Sequence, residues 1–294
     1  MLSPSSFKDS MDTDSTAAGA KPGWLVRHPF MVIGAVLALG LGPFLTQAIQ
    51  TDDTLFVWAA QQIVKHPLDF FGFNVNWWSS SIPMWLANYN PPLWPYLLAV
   101  TGGVLGWHEV GLHLTGFAVA WAAAAGIYGL ARQWCQRPLL AAVIGILTPA
   151  FLVSSTTLMC DVPMVACWVW AVVWWERANA DERSRWLYLG AGAMAALAVL
   201  AKYSAFNTLT LLPLLCFTRG RNFGWKLAGL AAPAVMIASF EGITGRMYGH
   251  GLVALAGQYA RTTHFDFPGG WPAKAMVGLA FAGGSLLPLL LLAP

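Results

Sequence analysis

Residues 111–138 read GLHLTGFAVAWAAAAGIYGLARQWCQRP, an apolar stretch that ends in two arginines. No Asp, Glu, Lys or Arg occurs between residues 111 and 131, and about 20 apolar residues in a helix are enough to cross a bilayer. Arg132 and Arg137 follow, and basic residues next to a span favour the cytoplasmic side. The stretch therefore predicts a transmembrane helix whose C-terminal end faces the cytoplasm.

The whole chain has the composition of a polytopic membrane protein. Of its 294 residues, 57% are hydrophobic and only 10% are charged, whereas soluble domains are about 25% charged. Its 16 tryptophans agree with this class, since indole rings collect at membrane interfaces. The net charge of +3 gives no support to a nucleic-acid partner, and the four cysteines lack the spacing of a zinc site or a disulfide framework.

Apolar runs of near-spanning length predict about eight transmembrane helices. They cover residues 30–49, 109–131, 138–154, 162–176, 186–202, 203–218, 225–240 and 272–293. A shorter run at 92–106 is broken by Pro95 and two glycines, and counting it as a span would move Arg132 and Arg137 outside. We therefore predict an all-α polytopic fold with a long external first loop, residues 50–108, that carries interfacial helices.

The N-terminus is predicted to be cytoplasmic, because Lys21 and Arg27 precede the first span. Residues 1–27 are rich in Ser, Thr, Asp and Ala and are predicted to be a disordered cytoplasmic tail. Residues 28–294 then form the transmembrane module. We expect an integral protein of the plasma (inner) membrane.

Acidic residues occur at the outer ends of the predicted helices. Asp52 and Asp53 follow the first span, and Asp161 directly precedes Val-Pro at the start of the fourth. Each is suited to cap a helix N-terminus, which is a purely structural role. If the first and fourth spans pack together, the carboxylates lie within reach of one site and can share a chemical role.

Basic residues on the same side supply a second set of candidates. Lys202 lies at the outer end of a span or in a break between two apolar runs. An ionisable residue in a membrane is a functional candidate, although a lysine near the interface also extends its ammonium to water. The late external loop, residues 241–271, carries Arg261 and His264, and it is either functional or an ordinary solvated connection.

Several common motifs are absent from the sequence. It has no GxxxxGK[ST] phosphate-binding loop and no HExxH zinc motif. The string GAGAMA at residues 190–195 matches a dinucleotide fingerprint only in its letters, since it lies inside a predicted span. Small residues in a span favour close helix packing, which is the interpretation we prefer.

Four motifs in one order resemble the GT-C membrane glycosyltransferases. They are the DD pair at 52–53 with the amphipathic segment that follows, NPPLWPYLLA at 90–99, LMCDVPM at 158–164 and YLGAGAMAALAVLAKYSAF at 188–206. More closely, the chain resembles the branch that contains the dolichyl-phosphate-mannose protein mannosyltransferases and the lipid A aminoarabinose transferases. The resemblance covers roughly residues 30–293.

This resemblance implies an enzyme that moves a sugar from a polyprenyl-phosphate donor to a hydroxyl or amine of a lipid, glycan or protein acceptor. The reaction is expected on the outer face, with inversion at the anomeric carbon. The resemblance implies Asp52 as the catalytic base, Asp53 as its acidic neighbour and Asp161 as a further catalytic aspartate. Three basic residues are expected to bind the donor phosphate, namely Lys202, Arg261 and His264.

The chain also departs from the family pattern. Some relatives have a Glu-Lys pair before PPL that helps to bind a metal, whereas this chain has Tyr89 and Asn90 there. We predict no metal ligands and no certain cofactor, and the need for a divalent metal stays open. Relatives continue beyond the last predicted span, so we expect the chain to be a fragment or a minimal catalytic module.

A transporter or lipid flippase that uses the same external charges is the main alternative. A transporter is expected to have polar residues near the membrane midplane and often an internal repeat, whereas the acids here lie at helix ends and no repeat is visible. A non-catalytic scaffold subunit is a third alternative. The sequence favours the transferase.

Overall fold

The computed structural model describes residues 24–206, 212–213, 222–262 and 270–290, with side chains up to residue 280 in the last helix. In chain order, its helices are α1 (Trp24–Arg27), α2 (Pro29–Leu41), α3 (Asp53–Lys65), α4 (Met84–Ala87), α5 (Leu93–Leu105), α6 (Glu109–Trp134), α7 (Pro138–Ile146), α8 (Pro149–Ser155), α9 (Asp161–Ala180), α10 (Leu187–Ala201), α11 (Phe223–Tyr248), α12 (Leu252–Thr262) and α13 (Gly270–Leu290). Strands β1 (Asn74–Trp77) and β2 (Ser80–Pro83) lie between α3 and α4.

Among the described residues, α6 and α11 are long and apolar enough to cross a membrane. Together α7 and α8 also meet this criterion, but they are bent by 61° at their junction, so they add a third candidate if they form one span. Shorter apolar helices are α2, α5 and α10. The mainly helical, apolar architecture is that of an all-α membrane protein, as predicted, whereas the described residues do not establish a count of eight spans.

Glycines allow α10 and α11 to pack closely. A Cβ atom at Gly192 would overlap the carbonyl oxygen of Gly229, and one at Gly229 would lie 2.6 Å from the carbonyl oxygen of Tyr188. Only residues without a side chain permit this approach of two backbones. The interpretation of GAGAMA as a helix-packing segment is therefore confirmed.

The segment between α2 and α6 folds into a compact layer, which we call the α3–α5 layer (residues 53–105). Phe56 of its amphipathic helix α3 lies in one buried core with Trp94 and Leu98 of α5 and with Leu158. The indole Nε1 of Trp94 donates a hydrogen bond to the carbonyl oxygen of Leu158 at 2.5 Å. This bond ties the layer to the segment that precedes α9.

The α3–α5 layer also contains a short antiparallel hairpin, which the sequence does not predict. Asn74 pairs with Pro83 and Trp77 pairs with Ser80, so Trp78 and Ser79 form a two-residue turn with φ of 54° and 62°. Turns of this kind usually contain Asn-Gly or Asp-Gly. The sequence has neither, which is why no hairpin was expected.

Candidate active site

An open pocket of about 610 Å³ lies at the start of α3. It is lined by Ala48, Ile49, Gln50, Thr51, Asp52, Asp53 and Met159. The chain that leads into the pocket is fixed by His113 of α6, whose Nε2 lies 3.0 Å from the carbonyl oxygen of Gln47. The pocket therefore lies between the two adjacent aspartates and Met159, which belongs to the segment before α9.

The carboxylate of Asp52 is exposed on this pocket. Asp52 occupies the N-cap position of α3, yet its side chain accepts no capping hydrogen bond. Its backbone has φ −72° and ψ −28°, whereas N-cap residues that bond to the helix usually have β-region angles. Capping by its carboxylate therefore does not account for Asp52, and the carboxylate is available to a ligand.

Asp53 has a different environment, although it is the next residue. Its side chain is only 1% exposed, Oδ2 accepts a hydrogen bond from the amide of Gln50 at 3.4 Å, and Oδ1 has no hydrogen-bond partner among the described residues. Burial raises the pKa of Asp53 above its ordinary value and outweighs the lowering by the backbone amides of Leu158 and Gln50. The pair thus combines one accessible and one buried carboxyl group.

Asp161 and Lys202 form an ion pair, with Nζ of the lysine 2.6 Å from Oδ1 of the aspartate. Asp161 is the first residue of α9 and Lys202 directly follows α10. Because α9 and α10 are joined by a short connection, they are antiparallel neighbours, and the start of one lies beside the end of the other. Both side chains remain partly exposed, at 35% and 27%, so the pair is open to a ligand.

Asp52 and Asp161 lie near the same segment of the chain, but they do not line the same pocket. Met159 lines the pocket of Asp52 and lies two residues before Asp161. Asp161 and Lys202 themselves are not lining residues of that pocket. The structure therefore pairs Asp161 with Lys202. It places Asp52 and Asp53 in a pocket that also contacts Met159, in the segment that leads to Asp161.

The late-loop candidates are not joined to these residues in the described part of the chain. Arg261 is exposed near the C-terminal end of α12. His264 lies outside the described residues. Lys202 is thus the one basic candidate that the described residues place against a predicted catalytic acid.

Asn88 is a buried polar residue that the sequence analysis missed. It is 3% exposed, its Oδ1 accepts hydrogen bonds from the backbone amide and the side-chain amide of Asn90, and its Nδ2 has no partner among the described residues. Asn88 and Tyr203, the neighbour of Lys202, border the same narrow crevice. The position of Asn88 directly before the YNPPLW segment was the available signal.

Tyr89 occupies the position at which some relatives carry the acidic half of their Glu-Lys pair. Its ring stacks on that of Tyr259 in α12, with centroids 4.1 Å apart and planes 16° apart. Within the described ranges, no group of three His, Cys, Asp or Glu residues is arranged to hold a metal ion. The residues at this position do not fit a metal site, and no chemical step is assigned to a metal.

Two other acids on the predicted outer side, Glu241 and Asp69, have structural partners. The carboxylate of Glu241 in α11 accepts hydrogen bonds from the amides of Val253 at 2.8 Å and Ala254 at 3.1 Å, at the start of α12. Asp69 Oδ1 accepts a hydrogen bond from the hydroxyl of Tyr248 at 3.1 Å. These contacts hold α12 against α11 and tie the α3–α5 layer to the end of α11.

Residues 89–240 match the model of the dolichyl-phosphate-mannose-protein mannosyltransferase family. The chain belongs to this family. The matched segment contains Asp161 and Lys202 but begins after Asp52 and Asp53. Membership makes the chain a membrane glycosyltransferase of the GT-C type, as its motifs predicted, and disfavours the transporter alternative. No curated protein and no solved structure matches the chain.

Proposed function

We propose that the transferase moves a sugar from a polyprenyl-phosphate donor to a hydroxyl or amine of a lipid, glycan or protein acceptor on the extracytoplasmic face. The observation that carries this proposal is the open pocket in which Asp52 exposes a carboxylate that caps no helix. A general base needs an accessible group that is able to take a proton from the acceptor. Of the two adjacent acids, Asp52 meets this need.

The acceptor's hydroxyl oxygen or amine nitrogen attacks the anomeric carbon of the donor sugar. As it attacks, Asp52 takes the proton from that oxygen or nitrogen. A bond forms between the acceptor and that carbon, while the bond from the carbon to the phosphate oxygen breaks. The electron pair of the broken bond stays on the polyprenyl phosphate. Attack opposite to the leaving group inverts the anomeric centre.

Asp53 acts as a positioning residue in this scheme. Its Oδ2 accepts the Gln50 amide, which fixes the turn that carries Asp52 at the rim of the pocket. Because Asp53 is 1% exposed, it does not contact an acceptor directly. A buried carboxyl with a raised pKa is also a common feature of functional sites, and here it lies next to the base.

Lys202 binds the donor phosphate, whose charge grows as the bond to the sugar breaks. A cation that is already oriented stabilises such charge at little reorganisation cost. The contact of 2.6 Å with Asp161 orients the ammonium, and the partial exposure of the lysine leaves room for a phosphate oxygen on its other side. Arg261 and His264 are proposed as further phosphate ligands.

We also propose that the chain crosses the plasma (inner) membrane eight times, with its N-terminus in the cytoplasm and the α3–α5 layer outside. The exposed Cys135 and the exposed Ser80 offer a test. A membrane-impermeant maleimide added to intact cells should label Ser80→Cys, but it should label Cys135 only after the cells are opened. Labelling of Cys135 in intact cells would contradict this orientation.

The proposed activity is tested by sugar release from radiolabelled polyprenyl-phosphate sugars. The purified full chain in detergent is supplied with several donors and with crude acceptor membranes. Turnover that Asp52→Asn abolishes, while donor binding survives, would support the proposal. The matched control is Glu109→Gln, which changes another exposed acid in the first turn of a helix and should retain turnover. Equal turnover by wild type and Asp52→Asn would exclude Asp52 as the base.

A further inference from the structure

A second groove, of about 510 Å³, lies at the end of α6 that carries the arginines. Its walls are largely apolar and come from α1, α2, α6 and α7. The apolar lining residues include Leu25, Val32, Tyr128, Leu139 and Val143, and Gln136 and Arg137 are polar lining residues. The groove is separate from the pocket of Asp52, since the two share no lining residue.

The position of the groove along α6 places it at a membrane interface. Arg137 lies three residues beyond Trp134, the last residue of a helix long enough to cross the membrane. Trp134 and Trp24 are 57% and 58% exposed, as expected for tryptophans at the interface. Tyr128 lies six residues before the end of α6, which is about 9 Å deeper along a helix. The groove therefore runs from the interface towards the hydrocarbon region.

In the two described segments that line the groove, residues 24–41 and 128–146, the formally charged side chains are all basic. Arg27 follows the groove residue Val26, Arg132 lies one helical turn after Tyr128, and Arg137 is a lining residue, and all three arginines are exposed. No Asp or Glu occurs in residues 24–41 or 128–146. These arginines therefore attract an anionic headgroup. They do not favour a zwitterionic headgroup, which carries a cation of its own.

We propose that this groove binds one anionic phospholipid, with its phosphate at Arg137 and an acyl chain between α2 and α7. The apolar walls require a ligand with a hydrocarbon chain, which a free phosphate lacks. The arginines of these segments select an anionic headgroup over a zwitterionic one. The assignment does not depend on the proposed transfer reaction.

Native mass spectrometry of the purified full chain in detergent tests this proposal, with dioleoyl-phosphatidylglycerol and dioleoyl-phosphatidylcholine as probes. The wild type should bind the anionic lipid about tenfold more tightly than the zwitterionic lipid at one site. Arg137→Gln should weaken binding of the anionic lipid about fivefold and leave the zwitterionic lipid unchanged. Because Arg137 is exposed, this change should not disturb folding.

Two further variants complete the test. Leu140→Trp places a large side chain at a groove residue that is 45% exposed and should weaken the binding of both lipids. Arg183→Gln removes the same charge from a turn outside the groove and should bind both lipids as the wild type does. Equal affinity of the wild type for the two lipids would overturn the proposal. So would an Arg183→Gln variant that is weakened as much as Arg137→Gln.

Discussion

Asp52 is the N-cap residue of α3, and the carboxylate of Glu241, a residue of α11, lies at the N-terminus of α12. The two carboxylates have opposite environments. Both oxygens of Glu241 accept hydrogen bonds from the first amides of α12. The Asp52 side chain accepts no capping bond from α3, and it faces an open pocket. An acid at a helix start is therefore explained by the helix only when the helix amides actually bind it.

The backbone before α3 explains the difference. The amide of Thr54 donates to the carbonyl oxygens of Gln50 and Thr51, and the amide of Leu55 donates to that of Asp52. These amides are therefore already bonded, and the side chain of Asp52 is not needed to satisfy them. At α12 the amides of Val253 and Ala254 donate instead to the carboxylate of Glu241, which reaches them from α11.

Substitution of Asp52 should have the largest effect on turnover. If turnover did not fall, the contrast between Asp52 and Glu241 would be wrong. Asp52→Ala should lower the turnover number by about 10²–10⁴-fold, since a general base contributes about that factor. The thermal unfolding midpoint should stay within about 1 °C of the wild type, because no hydrogen bond to the helix is lost. Turnover and midpoint are measured on the same preparation. A large fall in the midpoint would show that Asp52 is structural after all.

Lys202 should show the next largest effect. Lys202→Met should lower turnover about 10²-fold, as expected when a group that stabilises transition-state charge is removed. The charge-swapped double variant Asp161→Lys with Lys202→Asp keeps an ion pair and should recover stability without recovering turnover. Recovery of turnover as well would mean that the pair only holds α9 against α10.

Glu241 should behave in the opposite way from Asp52. Glu241→Ala removes two hydrogen bonds to the start of α12 and should lower the free energy of unfolding by about 1–2 kcal/mol. Turnover measured well below the unfolding midpoint should change by less than about tenfold. A fall as large as that of Asp52→Ala would place Glu241 in the chemistry and remove the contrast between the two acids.

Substitution of Asp53 should give the smallest effect, and the size of this effect should depend on pH. The folded pKa of Asp53 lies above the ordinary 3.8, so the folded state binds the proton more tightly than the unfolded chain. This contribution to stability is present below pH 3.8 and is lost as the pH rises through the folded pKa. Above that pH the buried charge opposes folding.

Asp53→Asn removes this charge and should therefore raise the unfolding midpoint at high pH. We expect a gain of about 2–4 °C at about pH 8, corresponding to about 1 kcal/mol, and a smaller gain at about pH 4. The measurement is thermal unfolding in detergent at both pH values. A gain that does not depend on pH would show that Asp53 carries no charge-dependent cost.

The sequence predicts where helices lie more reliably than where they bend. The apolar run at 138–154 predicts one span, whereas the structure divides it into α7 and α8 at an angle of 61°. Thr148 accepts a hydrogen bond from the amide of Phe151 and Pro149 opens the new helix. Continuous hydrophobicity conceals this break, although a Thr-Pro pair is a known start signal.

The difference between Asp52 and Asp53 was partly predictable. Asp53 shares the buried stripe of α3 with Phe56, Val57 and Ala60, and their spacing is that of one helix face. The contact between Asp161 and Lys202 was not predictable in the same way. It depends on how two helices pack, and no local pattern encodes a distance between side chains 41 residues apart.

Tyr248 sets an order of events during synthesis of the chain. Its hydroxyl donates to Asp69 and accepts the amide of Phe71, partners that are 179 and 177 residues earlier in the sequence. At about 5–20 residues per second, roughly 10–35 s pass between translation of the two ends of this contact. For that interval the α3–α5 layer is without its link to α11. The layer therefore reaches its final contacts only after α11 has been made.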